Sequence, residues 1–454
     1  MSAPVISIIA LAVMFLLATV LPVNMGALAF VGAFLVGTLV LGMDAKEIIA
    51  SFPGGLFLTL VGVTYLFAIA QNNGTIDLLV RGAVKMVGGR VALIPWVMFT
   101  ITAIITAVGA LSPAAVAIVA PIALGFAHKY KISPLLMGMM VVHGAQAGGF
   151  SPIAVYGVIT NTIVADAGLD ASPTMVFLSS LIFNFLIAVA LFVVLGDRKL
   201  MSARVGQLVE AAAEARMKVS VGTRLSGDVA DFGSDVDALD AAAQVRTAVA
   251  QEETGEKLPQ IATIIGLIAL AVIALGFKID VGFVSITIAV ALALVSPKAQ
   301  KGAVNMISWS TVLLICGMLT FVGVLQEAGT IDYVSNGVAS LGLPLLAALL
   351  ICYIGGVVSA FASSTAILAT LIPLAIPFLG SGEIGAVGVI CALAVASTIV
   401  DVSPFSTNGA LVLANAPIGV DRDKFYKQIL GYSGIIVVAG PAIAWATLVL
   451  PGWL

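Results

Sequence analysis

Charge is scarce in this chain. Only 9% of its 454 residues are Asp, Glu, Lys or Arg, while 61% are hydrophobic; a soluble globular chain carries about 25% charged and 45–50% apolar residues. So large an apolar excess cannot be hidden in a water-soluble core. Cysteine is sparser still. Cys316, Cys352 and Cys391 stand in apolar segments without metal-type spacing and read as packing thiols. A net charge of −3 with no basic cluster excludes a nucleic-acid partner. No basic residue precedes the first apolar run, as a secretory signal peptide would require, so Met1-Ser2-Ala3-Pro4 is expected to lead into a retained membrane helix. Nucleophile triads, phosphate loops, metal-ligand clusters and organic-cofactor motifs are also missing, which disfavours a membrane-embedded enzyme.

What is present is a series of apolar blocks, many about 18–25 residues long, the length that crosses a bilayer. One stretch interrupts them. Residues 197–257 are rich in Ala, Glu, Asp, Gln and Arg. Parts of it, 209–218 and 238–253, could form polar helices, but it has no apolar core of its own. It reads as a solvent-exposed cytoplasmic linker between a first half, 1–196, and a second half, 258–454.

The halves repeat. Gly74-Thr75-Ile76-Asp77 recurs as Gly329-Thr330-Ile331-Asp332, 255 positions later, and Pro4, Gly62, Gln71 and Gly82 match Pro259, Gly317, Gln326 and Gly337 in the same register. Further on the offset becomes 252: Ser112 falls on Ser364, Pro121 on Pro373, Ser151-Pro152 on Ser403-Pro404, and Gly157 on Gly409. Lys and Arg gather on cytoplasmic loops. Arg81, Lys85, Arg90, Lys129 and Lys131 follow the first motif, whereas the corresponding second-half stretches, 335–344 and 380–385, have neither. The pattern then reverses: 165–172 is acidic, and its counterpart 420–427 holds Arg422, Lys424 and Lys427. Lys298 and Lys301 precede the third helix of the second half, where the first half has Asp44, Lys46 and Glu47. Corresponding loops are thus expected on opposite faces, an inverted-topology repeat of the kind found in secondary transporters.

The expected fold class is an all-α polytopic membrane protein of two inverted-topology repeats, each with five transmembrane helices, a re-entrant hairpin and a broken helix. The first half reads as helices near 4–21, 25–43 and 53–71 and an amphipathic stretch 74–89. Hairpin arms follow at 91–110 and 114–128, with a tip at Leu111-Ser112-Pro113. The segment 133–165 would be about 50 Å long as one helix at 1.5 Å per residue. That is too long for a core near 30 Å, and Gly148-Gly149-Phe150-Ser151-Pro152 is its natural break. A helix near 173–196 closes the half. The second half reads as helices near 259–276, 280–296 and 310–327, then a hairpin with tip Ser363-Ser364-Thr365. A segment 384–417 broken at Asp401-Val402-Ser403-Pro404 and a helix near 428–450 complete it.

Irregular backbone at membrane depth is tolerated only where protein buries it or it lines a wet cavity. Half-helices starting after Pro113, Pro152, Thr365 and Pro404 would present free N–H groups to an anion. Carbonyls at half-helix C-termini suit Na⁺. No Lys or Arg lies in these motifs, and acidic groups are few, which favours an anionic substrate held by dipoles, hydroxyls and co-bound cations. The candidate substrate ligands are Ser112, Pro113, Ser151, Pro152, Ser364, Thr365, Ser403, Pro404, Thr407 and Asn408. The candidate sodium ligands are Ser112, Gly148, Gly149, Ser363, Ser364, Thr398 and Asp401. Asp401, an ionisable residue at a break, is a functional candidate by default, though it could simply cap the following half-helix. His143 and Gln146 lie one turn before the first break, and Asn161 follows it; these could be helix-packing polar residues or reach the ligand.

The paired hairpins and paired broken helices resemble the ion transporter superfamily. The chain is most similar to the malonate/dicarboxylate carriers of the MatC type, related to the divalent anion–sodium symporters. Where the symporters carry Ser-Asn-Thr at each tip, the tips here read Leu111-Ser112-Pro113 and Ser363-Ser364-Thr365. The resemblance covers nearly the whole chain except the linker. It implies sodium-coupled uptake of a small dicarboxylate, a homodimer in the inner membrane, and an elevator motion of hairpins and broken helices against a scaffold. Beyond the dicarboxylate, the coupling Na⁺ and the lipid bilayer, no other ligand and no organic cofactor is implied. A cation/proton antiporter on the same plan, with Asp401 as the exchanging carboxylate, is the alternative.

Overall fold

A computed structural model describes residues 2–21, 23–85, 90–169, 172–196, 257–277, 279–330, 333–334, 343–360, 364–379, 385–416 and 420–452. Among these every regular element is helical. Six helices are long and apolar enough to cross a membrane, and shorter apolar helices accompany them. Apart from Lys257, the linker lies outside the described residues, as does Ser363.

The first half contains α1 (Ala3–Val20), α2 (Met25–Leu39), the short α3 (Ala45–Ala50), α4 (Gly54–Asn72), α5 (Thr75–Lys85), α6 (Ile94–Ala107), α7 (Ser112–Tyr130), α8 (Pro134–Gly149), α9 (Val155–Asp166) and α10 (Pro173–Leu195). The second half contains α11 (Lys257–Ala271), extended by a π turn over Val272–Gly276, then α12 (Val281–Val295), the short α13 (Pro297–Gln300), α14 (Trp309–Glu327), α15 (Pro344–Ser359), α16 (Ser364–Leu379), α17 (Ala386–Ile399), α18 (Thr407–Ala414) and α19 (Arg422–Leu448).

Local chemistry sets these boundaries. Asn24 caps α2 by accepting from the N–H groups of Gly26 and Ala27, and Asp44 and Glu47 form a reciprocal capping box on α3. Gly74 and Gly329 have φ of +74° and +65°, so each ends a helix in the left-handed conformation that glycine adopts without strain. The repeated Gly-Thr motif is therefore helix punctuation. Five expected helix starts move. The final helix begins at Arg422, not near 428, because Asp421 accepts from the N–H groups of Asp423 and Lys424 and caps it there; the basic stretch is its first turn. Ser112 and Ser364 already lie in the helices of the second hairpin arms, so neither tip serine is the turn itself. The helices after the breaks begin at Val155 and Thr407, three residues beyond each Ser-Pro, because the serines first close a turn.

Those two turns share a pair of backbone bonds. The Ser151 N–H donates to the Gly148 carbonyl at 3.0 Å and the Ala154 N–H to the Ser151 carbonyl at 2.8 Å; the Ser403 N–H donates to the Val400 carbonyl at 3.2 Å and the Ser406 N–H to the Ser403 carbonyl at 3.0 Å. Gly157 and Gly409 press against the carbonyls they follow: a Cβ on either would stand 2.0 Å from the oxygen of Ser151 or Ser403.

Helices also pack in exchanged pairs. α4 lies on α12 and α14 lies on α2. A Cβ on Gly62 would meet the Gly282 carbonyl at 2.9 Å, and one on Gly317 the Gly26 carbonyl at 2.0 Å. Small residues let membrane helices approach this closely, and close packing is what holds them where no hydrophobic force acts between helices. α6, α7 and α10 pack on α8, as α15, α16 and α19 pack on α17. The three cysteines are buried and unpaired.

Candidate functional site

The hairpins exchange partners as well. α7 packs on α18 and α16 packs on α9, so the second arm of each hairpin meets the other half's post-break helix. This crossing brings both tips and both breaks to one place.

At its centre is Asp401, buried at 2% exposure. Its carboxylate accepts from the Asn408 N–H at 3.2 Å and from Asn408 Nδ2 at 2.9 Å. The Thr407 N–H and the hydroxyls of Ser364 and Ser406 also face it. The Ser406 proton is committed to the Ser403 carbonyl at 2.7 Å. Among the described groups facing Asp401 none is cationic. Asp401 thus caps α18, and it does so as a carboxylate enclosed by hydroxyls and amides. The Asn408 amide also donates to Ser112 Oγ at 2.8 Å. Its own oxygen, Oδ1, is buried and has no partner among the described residues. A buried carbonyl oxygen left unpaired beside a carboxylate is an acceptor without a donor, and burying it unsatisfied is costly.

Tyr156, from α9, completes the cluster. Its hydroxyl faces Thr365 on one tip, Ser112 on the other, and Asp401. Its ring lies against Gly149: a Cβ there would stand 3.0 Å from the ring. Sequence reasoning missed Tyr156, although a signal existed, since it lies 252 positions before Asn408 and the repeat that singles out one points to the other.

The expected site residues divide accordingly. Ser112, Ser364, Thr365, Asp401 and Asn408 are buried and meet. Ser364 also shares a 3.0 Å hydroxyl contact with Ser359. Thr407 is exposed and contributes its N–H. Ser403 Oγ accepts from the Phe405 N–H at 3.2 Å, and Ser151 and Ser403 hold their turns through backbone bonds, with Pro152 and Pro404 beside them and Pro113 in the first turn of α7. The Gly148 carbonyl is occupied by the N–H groups of Phe150 and Ser151. Gly148 itself packs on α6, where a Cβ would stand 2.0 Å from the Ala103 carbonyl. The Thr398 hydroxyl returns to the Ala394 carbonyl at 2.9 Å.

His143 goes elsewhere. Its Nδ1 lies 2.8 Å from Asn184 Oδ1 and its Nε2 lies 2.6 Å from the Tyr432 hydroxyl. The Asn184 amide nitrogen is committed to the Ser180 carbonyl at 2.9 Å, so its oxygen faces the ring. Nδ1 then carries the proton and Nε2 accepts from Tyr432. His143 ties α8 to α10 and α19. The Gln146 side-chain amide is buried without a partner among the described residues. Asn161 lies on another face of α9 from Tyr156. It lines a cavity of ≈ 550 Å³ with Thr59, Pro152, Thr162, Thr174 and Asp280.

Comparison with known proteins adds to this geometry. Residues 1–149 match the family model described as the dicarboxylate carrier protein MatC N-terminus. No curated protein matches the chain. Among solved structures, the fold is similar to that of the Alcanivorax borkumensis YdaH transporter, at 14% sequence identity, with 89% of each chain covered and a TM-score of 0.55. Over its first 149 residues the chain thus matches the N-terminal model of a dicarboxylate carrier family, and its overall fold is similar to that of a solved membrane transporter.

Proposed function

We propose that this protein is a secondary active transporter that carries a small dicarboxylate, malonate or a C4 acid, in symport with Na⁺. The observation that carries the reading is the buried Asp401 carboxylate beside the unpartnered Asn408 Oδ1, where both hairpin tips and both breaks meet. A carboxylate and an amide oxygen without a cationic side chain nearby suit a small hard cation, which prefers oxygen ligands. A bound cation would offset the cost of a carboxylate at membrane depth. The tip hydroxyls of Ser112, Ser364 and Thr365, with the first N–H groups of α7 and α16, then suit the carboxylates of the substrate. The match to a dicarboxylate carrier family supports the substrate class.

Alternating access would move the hairpins and broken helices against α4, α12, α14 and α2, whose glycine-paired contacts form the better scaffold. The two halves would be inverted, and the protein would work as a homodimer in the inner membrane with the linker in the cytoplasm. Sequence charge bias supports the orientation, and the resemblance to MatC-type carriers supports the rest.

A second reading, a cation/proton antiporter exchanging at Asp401, is favoured by the lack of a cationic partner for that carboxylate. One experiment separates them. Purified protein in liposomes should show counterflow of a labelled dicarboxylate from a panel, with Na⁺ and pH varied separately. Cation flux that ignores every dicarboxylate would sink the symport reading.

A further inference from the structure

The internal repeat makes the two halves of the site directly comparable. The Asp401 site is built from Asp401, Ser406, Thr407 and Asn408 of the second break and Ser364 of the second tip. At the offset of 252, the corresponding first-half residues are Gly149, Ala154, Val155, Tyr156 and Ser112. Two backbone hydrogen bonds recur at corresponding positions of the two breaks, so the correspondence extends from sequence to the local turn. The side chains differ in one direction. The whole Asp401 side chain is replaced by hydrogen, the hydroxymethyl group of Ser406 by a methyl group, and the carboxamide side chain of Asn408 by a phenol. In the second half the Asn408 side chain reaches Asp401; in the first, the Tyr156 ring rests on Gly149 and takes up the room a side chain there would need. The Gly148 carbonyl, the nearest helix-end oxygen, is already held by two N–H groups.

We propose that Tyr156 fills the place a second cation would occupy, so that the protein takes one coupling cation, at Asp401, and none at the corresponding first-half position. Tyr156 is thus a determinant of coupling stoichiometry. The plug is the ring, because it is the ring that covers Gly149; the hydroxyl instead faces Ser112 and Thr365 and bridges the two tips. The loss of the carboxylate and the gain of the ring belong together, since an Asp at 149 would collide with Tyr156, and a small residue at 156 without a carboxylate at 149 would leave an unfilled hollow.

This inference rests on the symport reading, and its test separates the two. Initial rates of labelled malonate uptake into proteoliposomes are measured against Na⁺ at fixed pH and against pH at fixed Na⁺. Wild-type uptake is expected to be first order in its coupling cation. Tyr156→Phe, which keeps the ring, should remain first order at whatever rate it retains. The triple variant Gly149→Asp, Ala154→Ser, Tyr156→Asn rebuilds the second-half set and should become second order. Wild-type uptake of second or higher order overturns the proposal, whether or not the triple variant folds, and so does a monodisperse, transporting triple variant that stays first order. Second-order uptake by Tyr156→Phe would assign the effect to the hydroxyl and overturn the plug. Wild-type uptake that ignores both Na⁺ and pH instead removes the symport reading itself, before any variant is made.

Discussion

The Asn408 amide donates to the Ser112 hydroxyl at 2.8 Å, across 296 positions of sequence. This bond ties the helix after the second break to the tip of the first hairpin. The same amide nitrogen also holds Asp401, so tip, break and carboxylate form one unit. The two residues should be energetically coupled. In detergent melts, Ser112→Ala and Asn408→Ala should each destabilise, while the double variant should lose less than their sum, by about 1 kcal/mol for a shared hydrogen bond. Strictly additive losses would mean that the contact contributes nothing.

Asp401→Asn tests the cation reading. The variant can still cap α18 through its amide oxygen, but it carries no charge and turns a donor toward Asn408 Nδ2. The Na⁺ concentration for half-maximal uptake should rise about tenfold or more, the equivalent of losing roughly 1.5–3 kcal/mol in a charged contact. A correctly folded variant with the wild-type Na⁺ requirement would leave Asp401 as a cap only.

The glycines at the breaks should not tolerate a methyl group. A Cβ on Gly157 or Gly409 would stand 2.0 Å from a backbone carbonyl oxygen of its own turn. Gly157→Ala and Gly409→Ala should each cost at least the roughly 1–3 kcal/mol typical of overpacking. Gly125 and Gly431 lie within helices and have open space around the missing Cβ. Alanine there should be neutral or stabilising by up to about 1 kcal/mol. Equal melting temperatures for all four variants would show that the breaks are loose.

Inversion of the halves can be read from the outside. Asp44 and Lys298 are exposed residues before the third long helices of their respective halves. Single cysteines at these two sites, in a background without Cys316, Cys352 and Cys391, should react with an impermeant thiol reagent from opposite sides of the membrane. Labelling of both from the same side would rule the inversion out.

Signals confined to one helix or one turn were legible in the sequence. The apolar runs announced the helices because a bilayer demands long apolar segments. The two Ser-Pro motifs marked both breaks, and their repetition with Gly157 and Gly409 identified Asp401 and the tip serines as neighbours of irregular backbone. Capping moved some ends by a few residues, as at Arg422, because a single Asp421 side chain outweighed the apolar pattern that placed the start later. Asp401 could be nominated from sequence because a lone carboxylate in an apolar segment stands out wherever it points.

Which side chains meet was decided only in three dimensions. His143 and Tyr156 are both polar aromatics near the first break, yet His143 is drawn to Asn184 and Tyr432 while Tyr156 reaches the tips. Periodicity describes one helix at a time and carries no information about which helix it will face. The crossing of α7 onto α18 and α16 onto α9 makes that choice. It turns two weakly polar tips and two short turns, distant in sequence, into a single enclosed cluster around one carboxylate.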